Sequence, residues 1–412
     1  MERTLAVSVE KPRLGAVYYV VLASQLMFLL QVFPWSEGFM TGFFNGSDTE
    51  TYQHLGSWVV TGKVPYLEIR QSYPPLDSIM NGLPHLLPFG YRDSFILMNF
   101  LIFWGLTYGY WRSVRHGQLG VTSASVVLLG LPSVLYNVST FNDLWAAGAV
   151  MMAFVVLHSG RSESGIAILA GGVFFKSYPL FLLPVAFFWV ASQQLEGAAG
   201  ASPLGRIQGY LSALVSRSGF RLVASAVLVA ALIGGAATLW TGTSWLTVPT
   251  ENYGHRNPES FAYLLAAYTP LGWTGGTWFV RALAAATLLG AFAFIPMRRF
   301  DNAIRVAIVV VIAVSMSAPF HSPHWNLWFI FLFCLIPISR PLLLLLVVYD
   351  INNLLYWPLF SFWTPIEVLK PLAREVAIYP IFAQCTLKFV LIGWLLRDAW
   401  QLGVADRVEG GE

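Results

Sequence analysis

This chain of 412 residues contains few charged residues. Asp, Glu, Lys and Arg together make up 11% of it, whereas hydrophobic residues make up 56%. About a quarter of the residues of an ordinary soluble domain are charged. So few charges cannot cover the surface of a soluble protein of this length. The composition therefore excludes an ordinary soluble enzyme and favours a protein that is embedded in a membrane.

Cysteine is also rare. The two cysteines, Cys334 and Cys385, both fall within apolar runs. Two such residues provide neither a disulfide framework nor the paired spacing of a zinc site. The net charge is +3, and the basic residues form no stripe with interleaved aromatic residues, which excludes a nucleic-acid partner.

Long apolar runs are abundant. Runs of about twenty residues are the signature of transmembrane helices, and they predict an all-α, polytopic integral membrane protein with about twelve spans. The segment 165–191 has two interpretations, one long helix or two short helices broken at Pro179. The runs are centred on residues 15–33, 93–111, 121–136, 143–158, 165–175, 178–191, 222–240, 275–296, 304–319, 326–339, 341–357 and 377–396.

The basic residues predict how the spans are oriented. If the N-terminus is cytoplasmic, every loop that falls inside carries at least one Lys or Arg, as the positive-inside rule requires. The long loop 192–221 is then also cytoplasmic, in agreement with Arg206, Arg217 and Arg221. Both termini are expected inside. Compact loops and few acids favour a prokaryotic plasma membrane as the location.

The same topology sends most of the unusual polar residues to the outer face. Acids, histidines and cations that converge on one face predict an active site there. These residues are Asp48, Glu50, Tyr52, Arg70 and Tyr73 in the first outer loop (about 34–92), Asn137, Asn142 and Asp143 in a turn, Lys176, then Glu251, His255, Arg256 and Glu259 in the loop 241–274, and His321 and His324 in the turn 320–325.

The acids of the first outer loop have two interpretations. Ser47 and Glu50 fit a capping box, with Ser47 as N-cap and Glu50 at the third helical position. Alternatively Asp48 is catalytic, because an acid in a membrane protein is costly and usually has a function. Asp48 and Tyr52 are four residues apart, so we expect them to share one face of a helix.

The other polar residues also have structural alternatives. Tyr73-Pro74-Pro75 predicts a rigid, extended segment in which Pro75 starts a helix. Lys176 either extends to the membrane interface or binds a phosphate. Asp143 is expected to cap the helix that follows Asn142.

His321 and His324 are spaced like a metal pair, but no third ligand of a suitable type is near them in sequence. We therefore expect no metal. Arg281 and Lys388 fall within predicted spans, and no role follows from the sequence for either.

Five stretches of the chain match motifs of one glycosyltransferase superfamily. They are Asp48-Thr49-Glu50 with Tyr52 and Gly62-Lys63-Val64-Pro65-Tyr66; Tyr73-Pro74-Pro75-Leu76; Lys176-Ser177-Tyr178-Pro179-Leu180; His255-Arg256-Asn257-Pro258-Glu259-Ser260-Phe261; and His324-Trp325-Asn326-Leu327-Trp328. Together they resemble the GT-C superfamily of polytopic transferases that use lipid-phosphate sugars. The likeness is good over about 40–190, patchy over 245–330 and absent beyond about 340.

Within that superfamily the chain is most similar to the polyprenyl- or dolichyl-phosphate-mannose-dependent mannosyltransferases. These include the catalytic subunit of the GPI-anchor first mannosyltransferase and the bacterial enzymes of phosphatidylinositol mannoside synthesis. The chain departs from the GPI enzyme at Glu50, where that enzyme carries Asp, which weakens a metal-binding interpretation of the two acids. The resemblance implies a GT-C fold with juxtamembrane helices in the first outer loop.

The resemblance also implies a reaction. A hexose, with mannose as the first expectation, would move from a polyprenyl-phosphate donor to a hydroxyl of a lipid or glycan acceptor by one inverting displacement. Asp48 would be the base. The substrate-binding residues would be Glu50, Tyr52, Arg70, Tyr73, Lys176, His255, Arg256, His321 and His324. No cofactor and no metal are expected, and the partners are the two substrates, membrane lipids and an accessory membrane subunit.

The chain is expected to contain two modules, and several other functions remain as alternatives. Residues 1–240 are expected to form the catalytic transmembrane module, and residues 241–412 a more variable one with outer loops 241–274, 320–325 and 358–376. The alternatives are a secondary transporter or lipid flippase, a GT-C transferase of glucose, arabinose or an aminosugar, and a non-catalytic subunit of a lipid-synthesis complex. Transporters commonly show inverted repeats, and no convincing repeat relates the halves of this chain.

Overall fold

The described part of the protein is entirely helical. A computed structural model describes residues 2–33, 48–69, 71, 73–193, 202–247, 260–318, 322–363 and 378–409. Within these ranges there is no β-strand, and the only extended pairing is an isolated bridge between Pro65 and Ile69. The prediction of an all-α protein is confirmed.

The α-helices that the structure describes are numbered here in chain order. They are α1 (Glu2–Val32), α2 (Thr49–Val60), α3 (Pro75–Gly82), α4 (Tyr91–Arg115), α5 (Ser123–Val127), α6 (Pro132–Thr140), α7 (Asp143–His158), α8 (Ser162–Gly172), α9 (Leu183–Ser192), α10 (Pro203–Leu214), α11 (Arg217–Thr241), α12 (Phe261–Tyr268), α13 (Gly272–Phe294), α14 (Phe300–Ser317), α15 (Asn326–Phe333), α16 (Arg340–Trp363) and α17 (Ile378–Glu409). Short 3₁₀ turns cover Leu83–Leu86, Leu128–Gly130, Tyr178–Leu182, Ser244–Thr247 and Pro323–Trp325.

Five helical segments of the described chain are long and apolar enough to cross a membrane, and the number rises to seven if each of two bent pairs is one span. The five are Leu14–Val32, Arg217–Thr241, Gly272–Phe294, Phe300–Ser317 and Tyr379–Leu402. Each apolar run of the sequence is helical over much of its length. Several of these helices are too short to span alone, so the number of twelve stays a prediction.

Two pairs of helices are bent, and a proline explains the bend of the second pair. Pro75–Leu86 and Tyr91–Arg115 are inclined by 115°, and Ser123–Gly130 and Pro132–Thr140 by 45°. In the second pair Leu131 is extended, with φ −63° and ψ 138°, and Pro132 begins the next helix. The proline ring disfavours the helical conformation for the residue that precedes it. The chain therefore changes direction at Leu131.

The long apolar helices differ in what covers them. In the most apolar 18-residue segment of α14, 78% of the residues are buried within the protein. The corresponding shares in α11 and α13 are 22% and 11%. Leu239 in α11 and Leu289 in α13 are among the large apolar side chains that remain exposed. Helices that are apolar on every side and uncovered by protein fit a lipid environment. These helices support an integral membrane protein.

The segment 165–191 consists of two helices. Helix α8 ends at Gly172, a turn contains Lys176, and α9 follows the 3₁₀ turn that includes Pro179. The two helices pack against each other. Of the two predicted interpretations, the broken one is confirmed.

The chain forms two compact units that interleave in sequence. The first comprises Met1–Gln71, Pro75–Gly148 and Asn326–Gln384, and the second comprises Ser72–Pro74, Ala149–Trp325 and Cys385–Glu412. The predicted catalytic module 1–240 and variable module 241–412 were defined by their expected roles, so they stay a prediction.

Helix α6 is central to the first unit, where it packs against α4 and α16. Buried polar groups connect it to the later part of the chain. Ser133 Oγ donates to the carboxylate of Asp350, Asn326 Nδ2 donates to Ser133 Oγ at 2.8 Å, and Asn137 Nδ2 donates to Asn326 Oδ1 at 2.8 Å. These hydrogen bonds hold α6, α15 and α16 in one register.

In the second unit α11 packs on α8, α12 on α13, and α14 on both α13 and α9. Hydrogen bonds also connect segments of this unit. Ser192 Oγ donates to the carbonyl of Met297 at 2.9 Å, and Asn302 Nδ2 donates to the carbonyl of Pro296 at 3.1 Å.

Candidate active site

Asp48 lies at the start of α2 in the first unit and is half-buried. Tyr52 is fully buried, and its Oη donates to Asp48 Oδ2 at 3.4 Å. The prediction that these two residues share a helix face is confirmed. One carboxylate oxygen of Asp48 is thus oriented by a buried phenol, while the residue keeps access to its surroundings.

The predicted capping box is wrong at this helix. Asp48 itself is the N-cap, without a side-chain capping hydrogen bond, so Glu50 is the second helical residue and not the third. Ser47 lies outside the described residues. Glu50 has 73% of its side chain exposed, and its Oε1 lies 3.9 Å from Arg92 Nη2. An exposed pair at that distance contributes little to stability.

The four residues Thr140–Asp143, which connect α6 to α7, form a junction that contacts several other segments. Thr49 Oγ1 donates to the carbonyl of Thr140 at 3.1 Å, and Asn99 Nδ2 donates to the carbonyl of Phe141 at 3.3 Å. The residue that follows Asp48 is thereby anchored to the junction.

The junction also carries a buried acid. Asp143 is the first residue of α7 and is fully buried, and its Oδ1 accepts from Trp328 Nε1 at 2.6 Å. A helix begins at Asp143, and the predicted capping role of its side chain stays a prediction. The indole contact, which joins the junction to α15, was not predicted, because the two residues are 185 positions apart.

Asp77 is a further buried acid, and the sequence analysis missed it. It lies in α3 with no exposed surface and accepts from Asn81 Nδ2 at 2.7 Å and from Asn142 Nδ2. Asn81 and Asn142 are equally buried. The signal was present in the sequence, since Asp77 directly follows the Tyr73-Pro74-Pro75-Leu76 motif in a chain with few acids.

Tyr66 faces the same group of polar residues from a strained loop. Its φ of 67° makes it the single residue other than glycine with positive φ in the described chain. Its side chain hydrogen-bonds Ser78. Burial raises the pKa of the Tyr66 phenol, and the neighbouring Asp77 raises it further. The phenol therefore stays protonated at neutral pH, and backbone strain of this kind is commonly found at functional sites.

The second unit contains the predicted cation. Lys176 lies in the turn between α8 and the Tyr178–Leu182 turn, with only 8% of its surface exposed. Its Nζ lies 3.9 Å from the centre of the Tyr73 ring, which is a close cation–π contact. Two residues that the sequence predicts as substrate-binding, and that are far apart in the chain, are thus brought together.

An apolar cavity of about 390 Å³ adjoins this pair. Its walls include Pro74 and Ser177, which directly follow Tyr73 and Lys176 in the chain. The other lining residues are almost all apolar, namely Ala170, Val173, Phe174, Leu180, Leu183, Ala226, Val227, Ala230, Trp245 and Leu246. A cavity of this size and lining suits a hydrocarbon chain.

His324 is the remaining predicted site residue that the structure describes. It is buried in the second unit, with Nδ1 2.9 Å from Ser322 Oγ. Arg70, His255, Arg256 and His321 lie outside the described residues, and their roles stay predictions. Among the residues that the structure does describe, no group of three or more His, Cys, Asp or Glu side chains is arranged to hold a metal ion.

The chain has no detected relative that would assign these residues a role. Comparisons with protein-family models, with curated proteins and with solved structures gave no match.

Proposed function

We propose that the protein is a membrane glycosyltransferase of the GT-C type, with about twelve spans. It would transfer a hexose, mannose in the first instance, from a polyprenyl-phosphate donor to a hydroxyl of a lipid or glycan acceptor at the outer face of the membrane. The donor is an amphiphile that combines a long hydrocarbon chain with one phosphate. The site must therefore provide an apolar cavity beside a cation.

The observation that carries the proposal is the position of Lys176. Only 8% of its surface is exposed, although lysine is among the residues that proteins bury least often. Its ammonium contacts Tyr73, and the residues after both of them line the apolar cavity. A phosphate at Lys176 with its hydrocarbon chain in the cavity would satisfy both features.

The chemistry requires one base and one leaving group. The acceptor oxygen attacks C1 of the sugar while Asp48 takes the proton of that hydroxyl. The bond between C1 and the phosphate oxygen breaks, its electron pair stays with the polyprenyl phosphate, and the proton later passes to water. The attack comes from the face opposite the leaving group, so a β-linked donor gives an α-linked product.

The phosphate needs no proton in order to leave. It already carries negative charge, and cations such as Lys176 stabilise the charge that develops on it. We propose the same role for Arg256, which belongs to one of the motifs that resemble the GT-C superfamily. Tyr52 Oη donates to one oxygen of Asp48 at 3.4 Å and so helps to orient the proposed base.

A transporter or lipid flippase is the second candidate, and one observation favours it. Lys388 lies within the candidate span Tyr379–Leu402 and is almost fully buried, with Nζ donating to Ser315 Oγ at 3.2 Å. Ionisable residues inside spans commonly mark transport pathways.

The experiment that separates the two candidates uses the purified protein in liposomes. Radiolabelled polyprenyl-phosphate mannose and host lipid extract are supplied, and new glycosides are resolved by chromatography. We expect labelled product that Asp48→Asn abolishes. Translocation of a labelled lipid with no glycoside formed, lost in Lys388→Met, would instead establish transport. No product from mannose, glucose, arabinose or aminosugar donors would refute the transferase.

We predict that transfer does not require a divalent metal. A lipid phosphate carries less charge than a nucleotide diphosphate, so lysine and arginine suffice to neutralise it. The measurement is turnover in excess chelator, followed by addition of magnesium or manganese. Activity that is lost with chelator and returns with metal would make Asp48 and Glu50 ligands, and Asp143 would become the next candidate base.

A further inference from the structure

Asp77 is a buried acid that no motif of the sequence includes. Its carboxylate accepts from the amides of Asn81 and Asn142, and all three residues have no exposed surface. Asn81 lies one turn further along the same helix. Asn142 lies 65 positions away in the α6–α7 junction, so this hydrogen bond ties α3 to the junction.

We propose that Asp77 is a positioning residue for Asp48 and acts through Asn142 and the junction. This inference rests on the proposed function, in which Asp48 is the base. Two hydrogen bonds form the connection. Asn142 is held by Asp77, and Thr140 in the same junction accepts from Thr49, the residue next to Asp48.

The start of α2 is connected to the junction through Thr49. Asp48 is the N-cap, yet its carboxylate makes no capping hydrogen bond to the helix. The buried hydrogen bond between Thr49 and Thr140 helps to fix the position of the helix start. A base that is displaced by about 1 Å can lose about a hundredfold in rate.

Burial separates the roles of the two acids. Asp48 is half-buried, so an acceptor hydroxyl can reach it, whereas Asp77 is fully buried and both of its oxygens accept from amides. Asp77 therefore cannot meet the acceptor without breaking its own cluster. Its carboxylate is suited to holding the junction in place.

The test is a reciprocal exchange of the hydrogen-bonding groups. Asp77→Asn replaces one of the two acceptor oxygens with an NH2 donor, so an amide of Asn81 or Asn142 faces another donor. Asn142→Asp places two carboxylates against each other. The double variant restores donor and acceptor and keeps the net charge. We expect each single variant to lower kcat by roughly 10- to 100-fold with donor KM nearly unchanged, and the double variant to recover most of the loss.

The controls separate positioning from stability and from catalysis. Asp93→Asn removes another acid of the first unit and should leave kcat unchanged. If Asp77→Asn lowers the melting temperature while kcat per folded molecule stays the same, Asp77 is only structural and the inference is overturned. If the double variant stays as inactive as Asp77→Asn, the carboxylate itself is required at position 77, which also overturns it.

A second readout does not depend on any transferase activity. In Asp48→Cys the new thiol is titrated with a maleimide, while Cys334 and Cys385 are buried and react slowly. We expect Asp77→Asn to change the rate at position 48 by about threefold or more, and addition of Asn142→Asp to restore it. An unchanged rate would refute the positioning role. Failure of the sugar-transfer assay alone would refute only the proposed function.

Discussion

Asp48 and Asp77 carry the same chemical group in different surroundings. Asp48 and Asp77 belong to the same unit, and both accept hydrogen bonds from neighbouring side chains. Asp48 keeps exposed surface, while Asp77 keeps none. A carboxylate must be reachable to take a proton from a substrate. The exposed surface of Asp48 therefore makes it the better candidate for a base.

The first prediction concerns that base. Asp48→Asn should lower turnover by about 100-fold or more, because the amide keeps the size of the side chain but cannot take a proton. The protein should still insert and fold, as judged by its elution in detergent and its melting temperature. Glu50→Gln is the matched comparison and should have a much milder effect, because Glu50 is exposed. Near-normal turnover of Asp48→Asn would end the assignment.

The second prediction concerns the buried lysine. Lys176→Met should raise the donor KM about tenfold or more and the acceptor KM much less, because a charged hydrogen-bond partner of the phosphate is lost. Initial rates at varied donor and acceptor concentrations measure both constants. Lys63 is the matched control, since it is exposed and its Nζ lies 5.4 Å from the centre of the Trp58 ring. Equal effects of Lys63→Met and Lys176→Met would show that the phosphate binds elsewhere.

At the scale of elements, helices α2 and α3 approach each other unusually closely. Gly56 is buried in α2, and a Cβ added there would lie 2.0 Å from the carbonyl oxygen of Asn81. The same oxygen accepts from Tyr91 Oη at 3.1 Å. Only glycine permits this approach, so Gly56 sets the distance between the helix that begins at Asp48 and the helix that carries Asp77.

The third prediction tests that contact. Gly56→Ala should destabilise the protein by about 1–3 kcal/mol, because the backbone near Asn81 must move to accommodate the methyl group. Thermal unfolding in detergent measures the change. Gly105→Ala, in α4, is the control, since a Cβ there meets nothing within 4 Å. That variant should be unchanged or slightly more stable. Equal melting temperatures of the two variants would contradict the close packing.

At the scale of the whole molecule, the amount of apolar surface that the protein leaves uncovered indicates a lipid environment. Large apolar side chains of α1, α11, α13 and α17 remain exposed, among them Val20, Leu239 and Phe382. Water would make such a surface prone to aggregation, whereas lipid stabilises it. The helices that span the bilayer are therefore expected to place loops on two different sides of it.

The fourth prediction tests which loops lie on which side. Lys63→Cys should react with a membrane-impermeant maleimide on intact cells, because the first loop is predicted to lie outside. His116→Cys should react only after the cells are made permeable, because the adjacent arginines predict a cytoplasmic position. Both positions are exposed, and the native cysteines are buried. Labelling in the opposite order would reverse the topology and place Asp48 inside.

Local sequence was sufficient for the class of fold and for several helix boundaries. Within lipid a chain satisfies its backbone hydrogen bonds by forming helices, so long apolar runs can be recognised without any knowledge of packing. The same is true of Pro75, which begins α3, and of the break near Pro179. Asp48 and Tyr52 could be paired because the helical repeat brings residues four apart onto one face.

Packing determined the remainder. The number of spans depends on bends such as the 115° angle after Leu86, which hydropathy does not reveal. The contacts of Asp77 with Asn142 and of Trp328 with Asp143 join residues 65 and 185 positions apart. No local pattern encodes such pairs, because they form only where helices meet. For the same reason Asp77 was missed, although its local sequence already marked it as an acid in an apolar chain.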